Sequence, residues 1–414
     1  MSKVLFFPPL PDRNRLLDQL FRSIWHFLPA VDKVETLIFP YAGDDFALLD
    51  SAQILSMAKA YLNRDLDPAI ADYALLYQRK VAFFKAPKFD FSAYTLMYGE
   101  NLKGIIVWDV SNEDVVSTAK DIAARTGAEL VWADPFAVHQ ETLVIIQFVY
   151  QLFEQSELEH LASQSHEYFV GYVSKWKGRP ISAYGNGPSL QSIIQSKYDP
   201  GQGLRAVCNS TIMESEALKH LKPEMLFCGD PVQHCGPSLY AGRFREQLAK
   251  AMNDPGRILI TQLGYVPYFR HIVSPSASSR IIGIGNDRRP SFNIDLTKEF
   301  VTAATANIFT MLVLPVVFTI SKQIDVYGCD GMSFKSATKP WSHANDEDYM
   351  SKMAVTHRVH PGFWVRNYEE EFWSYCNDME DIISQAEQTG VLVRSITPSY
   401  VPALAKRYNG MPVT

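Results

Sequence analysis

The sequence predicts an α/β protein of two Rossmann-like domains, residues 1–175 and 176–414, facing a common cleft. Three observations predict it. The chain has 414 residues, too many for one ordinary core and suited to two domains of roughly 150–220. Short β-branched runs alternate with helical-period segments in both halves, the pattern of a parallel sheet with helices on both faces. The alternation then starts afresh at Pro180–Ile181, after a long helical stretch.

In the first half, KVLFF reads as a strand, NRLLDQLFRSIWHFL as an amphipathic helix and VETLIFPY as a second strand. LKGIIVWDV and AELVWADP repeat the strand pattern around the helix NEDVVSTAKDIAARTG, with Asn112 placed to cap it and Gly127 to stop it. ETLVIIQFVYQLFEQSELEHLA reads as one long helix, and GYVSKWKGRP as the passage to the second domain. There PISAY, LRAVCNS, MLFCGD, RILITQ, QIDVYGCDG and GVLVRSITP are strands ending at polar or glycine-rich turns. Ligands of open parallel sheets bind beyond such strand ends, and a cleft between two domains is the default site.

Apolar residues make up 47% and charged residues 20%, a folded composition, and the net charge of −6 with no dense basic block argues against nucleic acid as a partner. Five cysteines without a C-x-x-C pair disfavour zinc ribbons and redox motifs and suit a reducing compartment. The N-terminal apolar run is too short for a signal peptide. IFTMLVLPVVFTI, the longest apolar stretch, falls short of the ~20 residues that cross a bilayer and reads as a buried core helix. The expected location is cytoplasmic, with contact at the inner membrane surface made through another module. The close at YNGMPVT fits one module of a larger polymerase.

The segment ISAYGNGPSL carries the strongest chemical signal. Gly185 and Gly187 can take positive φ and carry no Cβ, so a phosphate or sugar can approach the backbone closely. Pro188 suits the first helical position, Ser189 and the next amides form an anion-favouring helix N-terminus, and Asn186 can both donate and accept. The dinucleotide fingerprint G-x-G-x-x-G is not completed, because Leu190 holds the third glycine's place. A plain structural turn is the competing reading.

The second half resembles the bacterial sialyltransferases that use CMP-sialic acid. Their G-N-G-P-S-L turn is matched at Gly185–Leu190 and their C-N pair at Cys208-Asn209. Ser342-His343 in PWSHANDED resembles their G-H-S-like histidine, and VLVRSITPSYV their closing strand and turn. Order and spacing agree over about residues 180 to 402, roughly half the chain. Two departures matter: Thr305-Ala306-Asn307 replaces their T-S-G loop, and residues 1–175 add a domain that they lack. A two-domain relative fits better, the retaining β-Kdo transferases of bacterial capsule and lipopolysaccharide synthesis. The resemblance implies a GT-B-like arrangement with a sialyltransferase-like C-terminal half. It also implies CMP-Kdo as donor, a sugar or lipid-linked glycan as acceptor, and no metal or other cofactor. Gly185, Asn186, Gly187, Pro188, Ser189, Asn209 and Ser342 are the expected nucleotide contacts.

Asp230 stands where the sialyltransferases usually have asparagine, at the end of an apolar strand between Gly229 and Pro231. A carboxylate beside an anomeric carbon can form a covalent glycosyl intermediate and so retain configuration. Its competing reading is a turn-starting aspartate. His343 can donate to the departing phosphate, or else cap the following helix. Gln233 and His234 are candidates to orient Asp230. Arg270, His271 and Arg280 are candidates for the donor carboxylate. Asp330 reads more readily as a turn anchor than as a catalytic group. His357 and His360 look like a spaced pair, but Pro361-Gly362 favours a loop, so no metal ligand is expected there. Asp44, Asp45, Glu154, Glu157 and Glu159 are candidates for the acceptor-side base. Three other readings stand beside this one: an inverting sialyltransferase, a hydroxymethylpterin diphosphokinase-like enzyme (which also carries a G-N-G-P-S-L turn and needs magnesium), and a binding module without chemistry.

Overall fold

The computed structural model describes residues 2–86, 101–134, 141–332 and 354–410. Two wholly parallel sheets organise it. The first contains β1 (Ser2–Phe7), β2 (Val34–Tyr41), β3 (Val81–Lys85), β4 (Leu102–Val107) and β5 (Glu129–Trp132), in the order β3-β2-β1-β4-β5. The second contains β6 (Ile181–Tyr184), β7 (Leu204–Cys208), β8 (Met225–Phe227), β9 (Ile258–Gln262), β10 (Ile281–Asp287), β11 (Val301–Ala303), β12 (Gln323–Tyr327) and β13 (Leu392–Ser395). Its order is β11-β10-β9-β8-β7-β6-β12-β13. The α/β class is therefore as the alternation predicts. β3, β10 and β11 lie outside the predicted strands: β10 reads IIGIGND, whose glycines mimic a loop.

Local rules explain the main helices. Arg13–His26 starts where the Asp12 side chain accepts from the Arg15 amide at 2.9 Å, and it buries Leu16, Leu20, Ile24 and Trp25. Glu113–Thr126 is capped by Asn112 and ends on Gly127 at φ 72°. The apolar run from Phe309 to Ile320 is a fully buried helix, opening with a π turn, Phe309–Val313. No helix among the described residues is long and apolar enough to cross a membrane.

The predicted single helix from Glu141 is two helices, Glu141–Tyr150 and Gln155–Trp176. The amides of Gln151, Leu152 and Phe153 bond carbonyls three residues back, at 3.0–3.3 Å, which tightens and ends the first. The second runs through the stretch predicted as a linker. Its buried Phe169 and Val173 join the core over the second sheet, and Ser165 Oγ accepts from the Gly283 amide at 3.1 Å. That helix accordingly belongs to the second unit.

The two compact units are discontinuous in sequence, unlike the single boundary expected at 175/176. The first is Met1–Gln155 with Pro231–Arg243 and Lys352–Arg366; the second is Ser156–Asp230, Phe244–Ser351 and Asn367–Thr414. Specific bonds hold the returning segments in the first unit. Trp25 Nε1 donates to Cys235 O at 2.7 Å, the Asp67 amide to Pro237 O at 2.8 Å, and Arg22 Nη2 to Val359 O at 2.8 Å.

Candidate functional site

In the second sheet the strand order reverses between β6 and β12, and a crevice at the carboxyl ends follows from that topology. A hollow of about 470 Å³ lies there. Gly185, Asn186 and Gly187 after β6, Cys208 and Asn209 at β7, and Gly328–Met332 after β12 line it. Ala306–Phe309 and the helix Tyr368–Glu387 complete the described wall.

The two glycines of the turn after β6 admit a close approach of the chain itself. Neither has positive φ; the left-handed glycines here are Gly328 (φ 63°) and Gly331 (φ 73°). A Cβ on Gly185 would stand 2.6 Å from Cys329 Sγ, and one on Gly187 2.6 Å from Asp330 Cγ. The close approach is made by the chain itself, stitched by Gly185 N to Tyr327 O at 2.8 Å and Gly187 N to Gly328 O at 2.6 Å. Gly187→Ala should therefore cost about 1–3 kcal/mol by overpacking. Gly127→Ala, whose Cβ would meet nothing within 4 Å, should cost about 1 kcal/mol of backbone strain. Denaturant melts of the two variants check the contrast.

Asp330 anchors the turn, as the bland reading of it proposes. Its Oδ2 accepts from the Ser189 amide at 2.7 Å and its Oδ1 from the Ser189 hydroxyl. Burial raises its pKa against the pull of those bonds. The anion at the start of the helix Ser189–Gln195 is thus a protein carboxylate, and the Ser189 amide is committed to it. Pro188 precedes the first helical residue, and neither Pro188 nor Ser189 lines the hollow.

Asn186 and Asn209 do line it. Thr211 Oγ1 donates to Asn186 Oδ1 at 2.7 Å, which fixes the amide and leaves its NH₂ without a partner among the described residues. Asn209 sits at φ 51°, a strained region that asparagine tolerates, and its buried Oδ1 has no partner among the described residues. Asn307 accepts from the Phe309 amide at 2.8 Å and so starts the buried helix at the rim. Burial pushes the Cys208 thiol up to about 12 and that of Cys329 well above its ordinary value, so neither is a nucleophile at neutral pH.

The helix Tyr368–Glu387 supplies a wall that the sequence analysis did not single out: Tyr368, Glu371, Phe372 and Tyr375. The signal was their spacing, i, i+3, i+4, i+7, one helical face of YEEEFWSY.

Asp230 is half-buried on the turn after β8 and is not part of the hollow's lining. Its neighbour Gly229 backs onto the lining residue Ile308, since a Cβ there would stand 3.0 Å from Ile308 Cδ1. Gln233 and the buried His234 belong to the first unit. Ser342 and His343 lie outside the described residues.

Arg280 is ruled out as a ligand for a donor carboxylate. Its guanidinium is spent on the carbonyls of Met252 (2.6 Å), Asp254 (2.8 Å) and Arg257, before β10 begins. Arg270 and His271 stand in the last turn of the helix Val266–Ile272, and burial lowers the Arg270 pKa. Asp44, Glu154, Glu157 and Glu159 are exposed, and Asp45 accepts from the Tyr41 hydroxyl. His357 lies on a helical stretch, stacked on Phe363, whereas His360 is buried with its Nδ1 3.2 Å from Glu141 Oε2. No group of three metal-ligating side chains occurs among the described residues.

No protein-family model matches the chain. A search of curated proteins returns no match. Among solved structures, a candidate aspartate carbamoyltransferase from Leishmania major Friedlin aligns over 85% of this chain and 91% of its own, at 10% identity. The TM-score of 0.17 is too low for that likeness to carry any argument.

Proposed function

We propose that the chain is a CMP-sugar-dependent glycosyltransferase that moves Kdo from CMP-Kdo to a glycan acceptor in bacterial surface polysaccharide synthesis. The observation that carries the proposal is the convergence of Gly185–Gly187, Asn209 and an aromatic helix face on one hollow where the sheet order reverses. Such crevices take nucleotides, and the volume falls within the ~300–1,000 Å³ of small-ligand sites. The GT-B arrangement and the acceptor role of the first unit belong to the same proposal.

In this reading the nucleotide occupies the hollow and the keto-sugar extends past Ile308 toward the turn that carries Asp230. An Asp230 carboxylate oxygen attacks the anomeric carbon, whose bond to the phosphate oxygen breaks, and CMP leaves with the electron pair. The acceptor hydroxyl then attacks that carbon. It loses its proton to a base, and the bond to Asp230 breaks, so two inversions give net retention. No Lys, Arg or His lines the hollow among the described residues. His343 is the proposed donor to the departing phosphate.

Intact-mass measurement after incubation with CMP-Kdo tests the proposal. The expected result is release of CMP and a gain of one Kdo residue on the peptide holding Asp230. Failure both to bind CMP and to release it from CMP-Kdo with any sugar acceptor would contradict it.

A further inference from the structure

A second hollow, of about 350 Å³, lies wholly within the first unit. Its described lining carries three carboxylates, Asp12, Asp18 and Asp65, and three guanidiniums, Arg15, Arg22 and Arg358. Most of these ions are already held by the protein. Arg358 donates to both oxygens of Asp65, from Nε at 3.0 Å and from Nη2 at 2.8 Å. Arg22 donates from Nε to Asp18 Oδ2 at 2.9 Å and from Nη2 to the Val359 carbonyl at 2.8 Å. The Asp12 side chain accepts from the Arg15 amide at 2.9 Å, and the Arg15 guanidinium lies 5.9 Å from the centre of the Trp108 ring. The Asp65 carbonyl accepts from the Leu239 amide at 2.8 Å, which pins that stretch of the wall. Asp18 Oδ1 and Arg358 Nη1 have no partner among the described residues, so one acceptor and one donor remain.

We propose that this hollow binds a neutral sugar of the acceptor glycan; calling that sugar the acceptor rests on the glycosyl transfer proposed above. The described charges balance, three against three. An acidic sugar would meet carboxylates, and a metal ion would meet guanidiniums. A zwitterion would find its counter-charges only by parting Asp18 from Arg22 or Asp65 from Arg358. A hydroxyl needs no such break. It donates to a carboxylate lone pair that the ion pair leaves open and accepts from a spare guanidinium N–H. Hydrogen bonds to ionised partners are the strong kind, and side chains already held in place lose little freedom on binding. The volume is at the lower end of the ~300–1,000 Å³ of small-ligand sites.

The experiment is saturation-transfer NMR of the full chain with the methyl glycosides of glucose, galactose, mannose, rhamnose and N-acetylglucosamine. Methyl glucuronide serves as the acidic comparison and glycine as the zwitterion. At least one neutral glycoside is expected to bind, about tenfold or more tightly than either comparison. Arg358→Ala, at a side chain 53% exposed, should weaken that glycoside by about tenfold or more. Transfer to no neutral glycoside would overturn the inference without needing any variant, as would equal binding of the glucuronide or glycine. Unchanged affinity in Arg358→Ala would overturn it too. CMP titration of the same preparation reads the other hollow. Sugar binding without CMP binding would sink the transferase reading and leave the sugar site, whereas CMP binding without sugar binding would sink the sugar site alone.

Discussion

Asp230→Ala is expected to lower the rate of Kdo transfer by roughly 10⁴-fold or more while leaving CMP affinity within about threefold of wild type. The split follows from where the residue stands. Asp230 is outside the lining of the hollow in which the proposal places CMP, so its loss should not touch CMP binding. A double-displacement enzyme without its nucleophile has no covalent path, and truncation to alanine leaves no oxygen to attack. An inverting enzyme, in which the acceptor attacks directly, would keep substantial rate. Single-turnover kinetics with CMP-Kdo and an acceptor, alongside CMP titration, separate the two outcomes. A rate within tenfold of wild type would remove the covalent mechanism while sparing the donor assignment.

The largest expected effect on stability lies in the first unit. Arg22 and Glu141 are 6% and 2% exposed, and Arg22 Nη1 lies 3.2 Å from Glu141 Oε2. Arg22 Nε donates to Asp18 at 2.9 Å, and His360 shares the Glu141 carboxylate. Glu141→Ala would leave the buried guanidinium with Asp18 and the Val359 carbonyl but nothing for its Nη1, which costs about 3–5 kcal/mol. Burial alone would raise the Glu141 pKa. The charge of Arg22 and the bond to His360 outweigh it and hold the group down at about 2. A carboxyl whose folded pKa is depressed stabilises fully above its unfolded value, near 4.5, and loses that contribution as pH falls toward 2. Wild type should therefore weaken between pH 4.5 and 2 by about 3 kcal/mol from this group, and Glu141→Ala should show a correspondingly flatter profile over that range. Denaturant titrations at pH 7, 4 and 3 check both statements.

The strands and helices were readable where local rules decide them. Asn112 and Gly127 mark their helix ends from sequence alone, because capping and left-handed geometry are properties of single residues and their neighbours. The break after Tyr150 and the attachment of the helix Gln155–Trp176 to the second unit were not readable. They depend on which sheet receives Phe169 and Val173, a choice written in distant partners. The candidate site divides in the same way. That Gly185 and Gly187 mark a special turn was legible, as was the placing of Asn209 beside it. The reason for the glycines was not, since the backbone they admit is Gly328–Asp330, some 140 residues on. Glu371 escaped because a carboxylate among Glu369, Glu370 and Glu371 on an exposed-looking helix resembles dipole compensation until the helix is seen against the hollow.

The most direct measurement is a crystal structure of the protein soaked with CMP. Cytidine should lie in the hollow across the turn Gly185–Gly187, with the Asp230 carboxylate facing the space beyond Ile308. Density for CMP at any other place, or an Asp230 side chain directed away into bulk water, would contradict the account.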